Sequence, residues 1–463
     1  MKLIRTSLML ILIISSSSLL MGAGFALSGV GSRAISMGGA FRGMSDDASS
    51  MYWNPAGMGF MNETAISVGG SFFYPKTQWD YEGANGFSAG EYESQKKLRA
   101  FPSVFMTEEN EARWKWGFSV FVPYGLGATW DAYELPTAGM PGQPLGTTLV
   151  YSDGFPEEEM MSSIAIIDAH PTIAYKLLDN LSVGAGVSLM YGMIDILKVV
   201  PHSNAALAYY APTTFDLSGS GIGIGANMGI MYKPLPQLSI GLTGKLPSKL
   251  SLKGEAEVKL WLNQFANYST WGNNPAFLTP AIYGSTSDPS DIESELPLPG
   301  EIGGGITFKI MPQWAVNLDY NYQMWSSLDH VTVEMKDPVV ILQGHPTMEV
   351  TLTERDLNFD WKDTSRISVG TEYKYRCSSF RGGFFWEESP IPDETMSPTF
   401  PDINNKMSFN LGYGRSMGDW TVELNGQYVT FEERTIATPT ADNMTGTYNS
   451  NVVSGNLGIS YRF

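Results

Sequence analysis

One short stretch of the chain has the residue types and spacing of a catalytic nucleophile. Residues Gly86-Phe87-Ser88-Ala89-Gly90 match the Gly-x-Ser-x-Gly pattern, in which a tight turn between a strand and a helix exposes the serine of a hydrolase. Here the stretch is followed by Glu91-Tyr92-Glu93, and no helical periodicity comes after it. We therefore expect no catalytic residue and no enzyme. A lipid hydrolase remains an alternative, which loss of esterase activity in Ser88→Ala would support.

Residue types that hold metal ions are sparse. Cys377 is the only cysteine, so neither an intrachain disulfide nor a cysteine metal site can form. The four histidines lie far apart in sequence, at His170, His202, His330 and His345, and we interpret each as an ordinary strand or loop residue. No metal site and no cofactor are expected. The net charge of −18 argues against a nucleic-acid binder, which needs a basic face.

The N-terminus has the order of a secretory signal. Lys2 and Arg5 precede an apolar run, a serine stretch and then small residues. This order predicts a signal peptide over residues 1–22, with cleavage near Gly22 or Ala23. No later apolar run reaches the length of about 18 residues that a transmembrane helix needs. The protein is therefore expected to be exported, and to be periplasmic, secreted or an outer-membrane barrel.

Side-chain alternation with a period of two separates these possibilities. In residues 181–191 and 221–232, apolar side chains alternate with glycine, serine and asparagine. Trp114, Trp314 and Trp420 stand at the ends of similar segments. Alternating segments of about ten residues with aromatic ends are typical of transmembrane barrel strands. The 49 glycines and 12% aromatic residues agree with that class.

Loop lengths give the number of strands. Counting from about residue 64 first yields about fifteen segments, although bacterial single-chain barrels have an even number. Short turns and long loops must alternate, and a turn at Leu246-Pro247-Ser248 would break that alternation, so residues 238–260 are interpreted as one long bent strand. The sequence thus predicts an all-β fold, a 14-stranded antiparallel transmembrane β-barrel over residues 63–463, with a final strand ending at Phe463. Long loops are predicted near residues 75–97, 125–165, 192–217, 261–299, 325–364, 389–405 and 431–452.

Residues 23–62 are predicted to plug this barrel. They are rich in glycine and small residues and show no clean period. A barrel of about fourteen strands leaves a water-filled bore unless something occupies it. The segment also contains Phe25, Phe41, Trp53 and Phe60, which a disordered tail would not favour.

A series of short motifs resembles a known family. The plug segment contains Gly38-Gly39-Ala40-Phe41, Asp46-Asp47-Ala48-Ser49 and Tyr52-Trp53-Asn54-Pro55-Ala56-Gly57-Met58. The motifs that follow, in order, are Pro123-Tyr124-Gly125-Leu126, Leu252-Lys253-Gly254-Glu255, Leu296-Pro297-Leu298-Pro299, Trp325-Ser326-Ser327-Leu328-Asp329, Trp361-Lys362-Asp363-Thr364 with Arg366, and Glu388-Ser389-Pro390-Ile391-Pro392-Asp393. Their order over nearly the whole mature chain resembles the FadL family of outer-membrane transporters of long-chain fatty acids and aromatic hydrocarbons, whose N-terminal plug is called the hatch.

The resemblance implies a function and a location. It implies transport of hydrophobic compounds, above all long-chain fatty acids, across the outer membrane of a Gram-negative bacterium. The implied route is an outer groove, a pocket in the lumen, a rearrangement of the hatch and lateral exit at a break in the third strand. The implied hatch and gating residues are Phe25, Asp46, Asp47, Asn54, Pro55 and Ala56, and those of the lateral opening are Pro123, Tyr124, Gly125, Leu126 and Gly127.

Two of these assignments have structural alternatives. Proline cannot donate a ladder hydrogen bond and glycine supports a bend, so strand pairing should lapse near Pro123; alternatively, the third strand simply ends at its loop. Asn54-Pro55-Ala56 either shapes the hatch or contacts the ligand. We expect replacement of Asn54, or a bulky residue at Gly125, to lower uptake while the barrel still assembles.

Other functions and partners remain open. Uptake of monoaromatic hydrocarbons by the same route is one alternative, and a general diffusion porin or an outer-membrane lipid hydrolase is another. The expected partners are a long-chain fatty acid or another hydrophobic small molecule, outer-membrane lipid and lipopolysaccharide, and no nucleic acid. We expect a monomer. The sequence pattern assigns no cationic group to the carboxylate of a fatty acid.

Overall fold

The structure is a computed structural model, and it describes most of the chain beyond residue 22. The described residues are 23–61, 64–81, 90–108, 113–130, 136–137, 147–148, 160–200, 213–260, 289–341, 350–397, 400, 402–437 and 445–463. The predicted signal peptide over residues 1–22 and Ser88 of the hydrolase-like stretch lie outside these ranges. Within them, no helix is both long enough and apolar enough to cross a membrane.

Fourteen antiparallel strands, labelled β1 to β14 in chain order, form the wall of a closed barrel. Each strand pairs with its neighbours in the chain, and β1 closes the barrel by pairing with β14, so that Ala65 faces Thr107 on one side and Arg462 on the other. The predicted fourteen-stranded barrel is confirmed. The strands are β1 Ala65–Tyr81, β2 Gly90–Glu93 with Arg99–Glu108, β3 Trp114–Trp130, β4 Met160–Leu178, β5 Leu181–Val200, β6 Thr213–Leu235, β7 Leu238–Lys245 with Ser248–Leu260, β8 Ser290–Leu298 with Gly300–Met311, β9 Trp314–Met324 with His330–Ile341, β10 Val350–Asn358 with Thr364–Tyr375, β11 Ser378–Glu387, β12 Lys406–Met417, β13 Trp420–Phe431 and β14 Gly446–Arg462.

Smaller elements accompany the wall. Pro136–Thr137 pairs with Thr147–Thr148, and Arg434–Ile436 pairs with the start of β14. Two single-turn 3-10 helices, Trp325–Ser327 and Asp393–Thr395, lie in the connections that follow the first segment of β9 and β11.

The bent strand predicted over residues 238–260 is β7. Both of its segments pair with β6, in continuous order along that strand. At the bend, the Leu246 amide still donates to the Ala226 carbonyl over 2.9 Å. The Leu-Pro-Ser interruption is therefore a kink inside one strand, and the even strand count depends on it.

The strands extend farther toward the long loops than predicted. β1 continues to Tyr81 and β5 to Val200, although loops were predicted from residues 75 and 192. The second segment of β9 and the first of β10 lie inside the predicted loop 325–364. These predicted boundaries were wrong because backbone pairing continues beyond the lipid, where side chains no longer need the apolar alternation that marks a strand.

The outer surface carries the predicted apolar face. On β6, Ile222 and Ile224 are 70% and 72% exposed, whereas the glycines between and after them face inward and are buried. Trp114, Trp314 and Trp420 are exposed next to the short turns. The aromatic band therefore lies at the short-turn end, at one interface of the apolar belt.

The N-terminal residues lie inside the barrel at its short-turn end. They form helix α1 (Ser32–Ser36), helix α2 (Ser50–Trp53) and a 3-10 helix (Pro55–Phe60), and most of their side chains are buried. The 3-10 helix packs on β4, β5 and β6, while α1 packs on β11, β12 and β13 across the lumen. We refer to residues 23–61 as the hatch.

Candidate functional site

Asn54-Pro55-Ala56 joins the hatch to the wall. The fully buried Asn54 side chain accepts a hydrogen bond from the Ala56 amide (3.1 Å) and donates to the carbonyls of Arg42 (3.0 Å) and of Ile230 on β6 (3.2 Å). Pro55 begins the 3-10 helix, where its missing amide proton is not needed. The side-chain amide of Asn54 is thus occupied by backbone partners. This favours a role in shaping the hatch over direct contact with a ligand.

Glycines in the wall make room for this motif. An added Cβ at Gly184 of β5 would lie 2.4 Å from the Pro55 carbonyl carbon, and one at Gly229 of β6 would lie 2.1 Å from the Asn54 side-chain oxygen. Both distances are far below van der Waals contact. The nearly bare inner faces seen in the sequence therefore let the backbone of the wall approach the hatch directly.

Asp46 and Asp47 belong to an ionic network that fastens the hatch to the wall. Arg33 of α1 contacts Asp46 (2.6 Å), Asp47 (3.2 Å) and Glu372 of β10 (2.9 Å). Glu372 also binds Arg381 of β11 at 2.7 Å. The Asp46 carboxylate is partly exposed, and against its partial loss of solvent the opposing charge of Arg33 lowers its pKa below the ordinary value. Both aspartates therefore bind Arg33 within the hatch, and Arg33 links them to Glu372 of the wall.

Arg42 provides a second ionic tether. Its guanidinium contacts Glu301 of β8 and lies 3.6 Å from Asp319 of β9. The Asp319 carboxylate also accepts from the backbone amides of Phe41 (3.0 Å) and Arg42 (2.8 Å). The two tethers hold the hatch to neighbouring strands, β8 and β9 through Arg42 and β10 through Arg33, which no local sequence pattern could reveal.

The N-terminal end of the hatch has its own anchor. The Gly24 amide donates to Asp402 over 2.6 Å, and Lys406 contacts the same carboxylate at 2.7 Å. Asp402 lies in the connection between β11 and β12, and burial raises its pKa to about 6 although Lys406 opposes that change. This contact places Phe25 at the boundary between the hatch and the upper lumen.

Phe25 closes the lower end of an apolar chamber. Its ring meets those of Tyr124, Trp325 and Trp361 at centroid distances of 5.6, 5.0 and 5.9 Å. Toward the long-loop end, inward side chains of β4 to β10 are nearly all apolar and surround a cavity of about 30 Å³. Ligand pockets typically enclose about 300–1,000 Å³. The cavity is therefore smaller than a typical ligand pocket, and Phe25 is one of the residues that line it.

Strand pairing lapses between β2 and β3. Their ladder ends at Val104 opposite Val120, and the next backbone hydrogen bond between them runs from the Gln95 amide to the Thr129 carbonyl, at 2.9 Å. On its other side, β3 stays paired with β4 through a bulge between Phe121 and Tyr124. β3 does not end at its loop; it leaves β2 and then returns.

The hatch occupies the edge that β2 leaves. Ala26 forms an antiparallel bridge with Tyr124, the Leu27 amide donates to the Pro123 carbonyl (2.9 Å) and the Gly125 amide donates to the Phe25 carbonyl (2.8 Å). These bonds satisfy backbone groups that would be costly to leave unpaired at membrane depth. The hatch residues 25–27 thus act as a short extra strand beside β3.

Phe101 of β2 covers the gap. An added Cβ at Gly125 would lie 3.0 Å from the Phe101 ring and 3.5 Å from the Leu27 side chain. Leu126 and Gly127 continue β3 opposite Ile164 and Ser163 of β4. The structure therefore places all five residues in the stretch of β3 that is unpaired with β2, between Val120 and Thr129. Pro123, Tyr124 and Gly125 meet the hatch there, and Leu126 and Gly127 follow them toward Thr129.

A polar cluster below the chamber was missed from the sequence. It surrounds a cavity of about 60 Å³ bounded by Leu27, Tyr124 and Lys245. The Lys245 ammonium donates to the Tyr124 hydroxyl over 2.8 Å. The sequence did carry a signal, because Lys245 follows Gly241 and Thr243 on the inward face of β7, where a charge has no lipid-facing role.

His170 stands in the same cluster but lacks the geometry of a catalytic triad. Its Nδ1 is near both Ser188 (3.2 Å) and Asp168 (3.4 Å), and its Nε2 meets the Asn227 side-chain oxygen (3.1 Å). A hydrolase needs the serine and the carboxylate on opposite ring nitrogens. Asn227 in turn donates to the Met51 carbonyl over 3.0 Å, so this relay joins β4 to the hatch.

Comparison with known proteins agrees with this architecture. The family model "Outer membrane protein transport protein (OMPP1/FadL/TodX)" matches residues 12–463. A long-chain fatty acid transport protein of Salmonella typhi is 26% identical over 403 residues, covering 82% of this chain and 79% of the relative. Its counterpart in Escherichia coli K12 is 23% identical over 404 residues, covering 82% and 80%.

Solved structures share the fold. A Pseudomonas aeruginosa FadL homologue superposes with a TM-score of 0.73 at 16% identity, covering 95% of this chain and all of the other. The Pseudomonas putida toluene transporter TodX gives a TM-score of 0.66 at 17% identity, covering 95% and 99%. With a family match over nearly its whole length and a closed fourteen-stranded barrel, the chain belongs to the OMPP1/FadL/TodX family of outer-membrane transport proteins of Gram-negative bacteria.

Proposed function

We propose that this protein carries long-chain fatty acids across the outer membrane and releases them sideways through the gap between β2 and β3. The substrate enters from an outer groove, occupies the apolar chamber, displaces Phe25 and exits at Pro123, Tyr124 and Gly125. The observation that carries the proposal is the continuity of residues 25–27: one end closes the chamber and the other fills the edge of β3.

This continuity couples binding to opening. A ligand that takes the place of the Phe25 ring pulls on Ala26 and Leu27, whose backbone bonds hold the hatch against β3. Asp46 and Asp47, through Arg33, keep the rest of the hatch in place during that movement. Asn54, with Pro55 and Ala56, likewise keeps the hatch against β6 during that movement. The movement is therefore local, and the barrel does not need to become an open pore.

The names of the relatives support a hydrophobic substrate. The curated relatives are long-chain fatty acid transport proteins, while TodX is a toluene transporter. Uptake of monoaromatic hydrocarbons by the same route is the second candidate, and one observation favours it: Ser294 is the sole polar side chain lining the 30 Å³ cavity among the described residues. A general diffusion porin is disfavoured because the hatch is tied to the wall on several sides.

Uptake assays separate these functions. The chain is expressed in a Gram-negative host that lacks its own fatty-acid transporter, and initial uptake of radiolabelled oleate and of toluene is measured separately. We expect saturable oleate uptake that exceeds that of cells with an empty vector. Toluene uptake without oleate uptake would favour the second candidate. Large ion conductance of the purified protein in planar bilayers would favour a porin. Esterase activity lost in Ser88→Ala would favour a hydrolase.

A further inference from the structure

Lys245 has an unusual environment for a cation inside the barrel. It ends the first segment of β7 and faces inward, with Asn227 and Glu301 as its neighbours across the sheet. Its ammonium donates to the Tyr124 hydroxyl over 2.8 Å and lies 4.4 Å from the centroid of that ring. An ammonium has three donors, and this contact uses one of them.

Other cations of the lumen are paired with carboxylates. Arg33 contacts Glu372, Arg42 contacts Glu301, and Lys406 contacts Asp402. Within the described part of the chain, Lys245 has no carboxylate oxygen within 4.0 Å of its ammonium, and the carboxylate of the facing Glu301 is turned to Arg42. A half-buried ammonium that no carboxylate contacts directly costs stability, and a carboxylate that arrives with a ligand would remove that cost.

The position of Lys245 lies on the route from the chamber to the gap. Its partner Tyr124 has three roles: its ring packs on Phe25, its backbone bridges Ala26, and its hydroxyl meets Lys245. The small polar cavity between them is bounded by Leu27 and Pro123, which carry the backbone bond of the hatch to β3. A group bound at Lys245 therefore contacts Tyr124, the residue that pairs with Ala26 of the hatch.

We infer that Lys245 and the Tyr124 hydroxyl together bind the carboxylate head group of an amphipathic substrate as it moves from the chamber to the gap. The inference rests on the proposed transport function and deepens it by assigning the residues that bind the head group of the fatty acid. The ammonium donates to one carboxylate oxygen, and the phenol, which accepts from Lys245 in the free protein, rotates to donate to the other. An uncharged hydrocarbon gains nothing from this pair.

The test compares a fatty acid with its uncharged analogue. Initial uptake rates of oleate and oleyl alcohol are measured for each variant, and their ratio is the readout. Lys245→Met should lower the oleate to oleyl alcohol ratio roughly 10- to 100-fold, as loss of a charge-assisted hydrogen bond implies. Lys245→Gln, a second neutral variant, should act in the same direction, and Lys245→Arg should keep the ratio within about twofold.

Lys249→Met is the matched control. It is the same substitution on the same strand, but the Lys249 side chain is 64% exposed and pairs with Glu295 at 2.7 Å, so the ratio should not change. Folded barrel in the outer membrane is verified for each variant by heat-modifiable migration on gels. An unchanged ratio in the folded Met and Gln variants, or an equal loss of both substrates, would overturn the assignment of Lys245. Wild-type protein that takes up neither compound would instead contradict the proposed function itself.

Discussion

A disulfide between residues 26 and 124 would hold the hatch strand against β3 and should stop transport reversibly. Ala26 and Tyr124 face each other in an antiparallel bridge, where Cα atoms lie about 4.5–5.5 Å apart, and a disulfide accepts about 4.4–6.8 Å. Cys377 is the only native cysteine and is exposed, so Cys377→Ser gives a background without competing thiols. Ala26→Cys with Tyr124→Cys is then introduced into that background.

The expected effect follows from the contacts that hold residues 25–27. Undocking breaks two backbone hydrogen bonds, each of which contributes about 0.5–1.5 kcal/mol net. It also exposes the buried Phe25 ring, at a cost of about 1.5–3 kcal/mol. The total of about 2.5–6 kcal/mol leaves roughly one molecule in 10² to 10⁴ undocked without ligand. A substrate in the chamber can offset that cost, whereas a covalent bond removes the undocked state altogether.

The assay compares oxidised and reduced forms of the same protein. Oleate uptake in cells carrying the double-cysteine variant should fall at least about tenfold on oxidation and return with a reductant, because the disulfide locks a backbone contact that must open for release. Both the oxidised and the reduced form lack the Tyr124 side chain, so the ratio of their uptake rates does not depend on that loss. Tyr124→Cys alone in the Cys377→Ser background controls for other effects of the oxidant. Equal uptake by the oxidised and reduced double variant, with the disulfide verified by mass spectrometry, would refute lateral release through this gap.

Three further substitutions test the hatch and the gap. Asn54→Asp keeps the acceptor for the Ala56 amide but loses two donated hydrogen bonds, which contribute about 1–3 kcal/mol. We expect lower oleate uptake and faster hydrogen exchange of the hatch. A hydrogen-exchange rate equal to that of the wild-type protein would contradict the architectural role. Gly125→Phe places a ring where a Cβ already lies 3.0 Å from Phe101; uptake should fall several-fold with normal barrel assembly, and unchanged uptake would show that the gap is not used. Arg33→Met leaves the buried Glu372 with one partner fewer, while Arg381 stays bound to it, so the loss is about 1.5–3 kcal/mol for a hydrogen bond between charged groups. Higher ion conductance in planar bilayers is expected, whereas Arg113→Met, at the exposed short-turn end, should leave the conductance low.

The sequence determined the barrel because its signal is local. Alternation of apolar and small residues, as in residues 221–232, shows which side of each strand faces lipid. Each position must suit lipid or lumen whatever residues lie next to it in the neighbouring strands. Loop parity then required the even count and identified the bent strand over residues 238–260. The strand ends near Tyr81 and Val200 were misplaced because pairing beyond the lipid leaves no such contrast.

The residues that form the hatch motifs and the motif on β3 could be recognised from the sequence, but their contacts could not. Asn54, Asp46 and Pro123 could be singled out by residue type and order. That Asp46 shares Arg33 with Glu372, 326 positions farther along the chain, depends on how fourteen strands close around the segment.

Only the tertiary structure decided how residues 25–27 meet the wall. Closure of the barrel brings residues 25–27 to the edge of β3 and places Lys245 against Tyr124, 121 positions away in sequence. Each of these contacts depends on the register of the strands, which is set by the stagger of the whole barrel. Alternation with a period of two contains no information about that stagger. The sequence therefore determined which side chains face inward, and the closed barrel determined which of them meet.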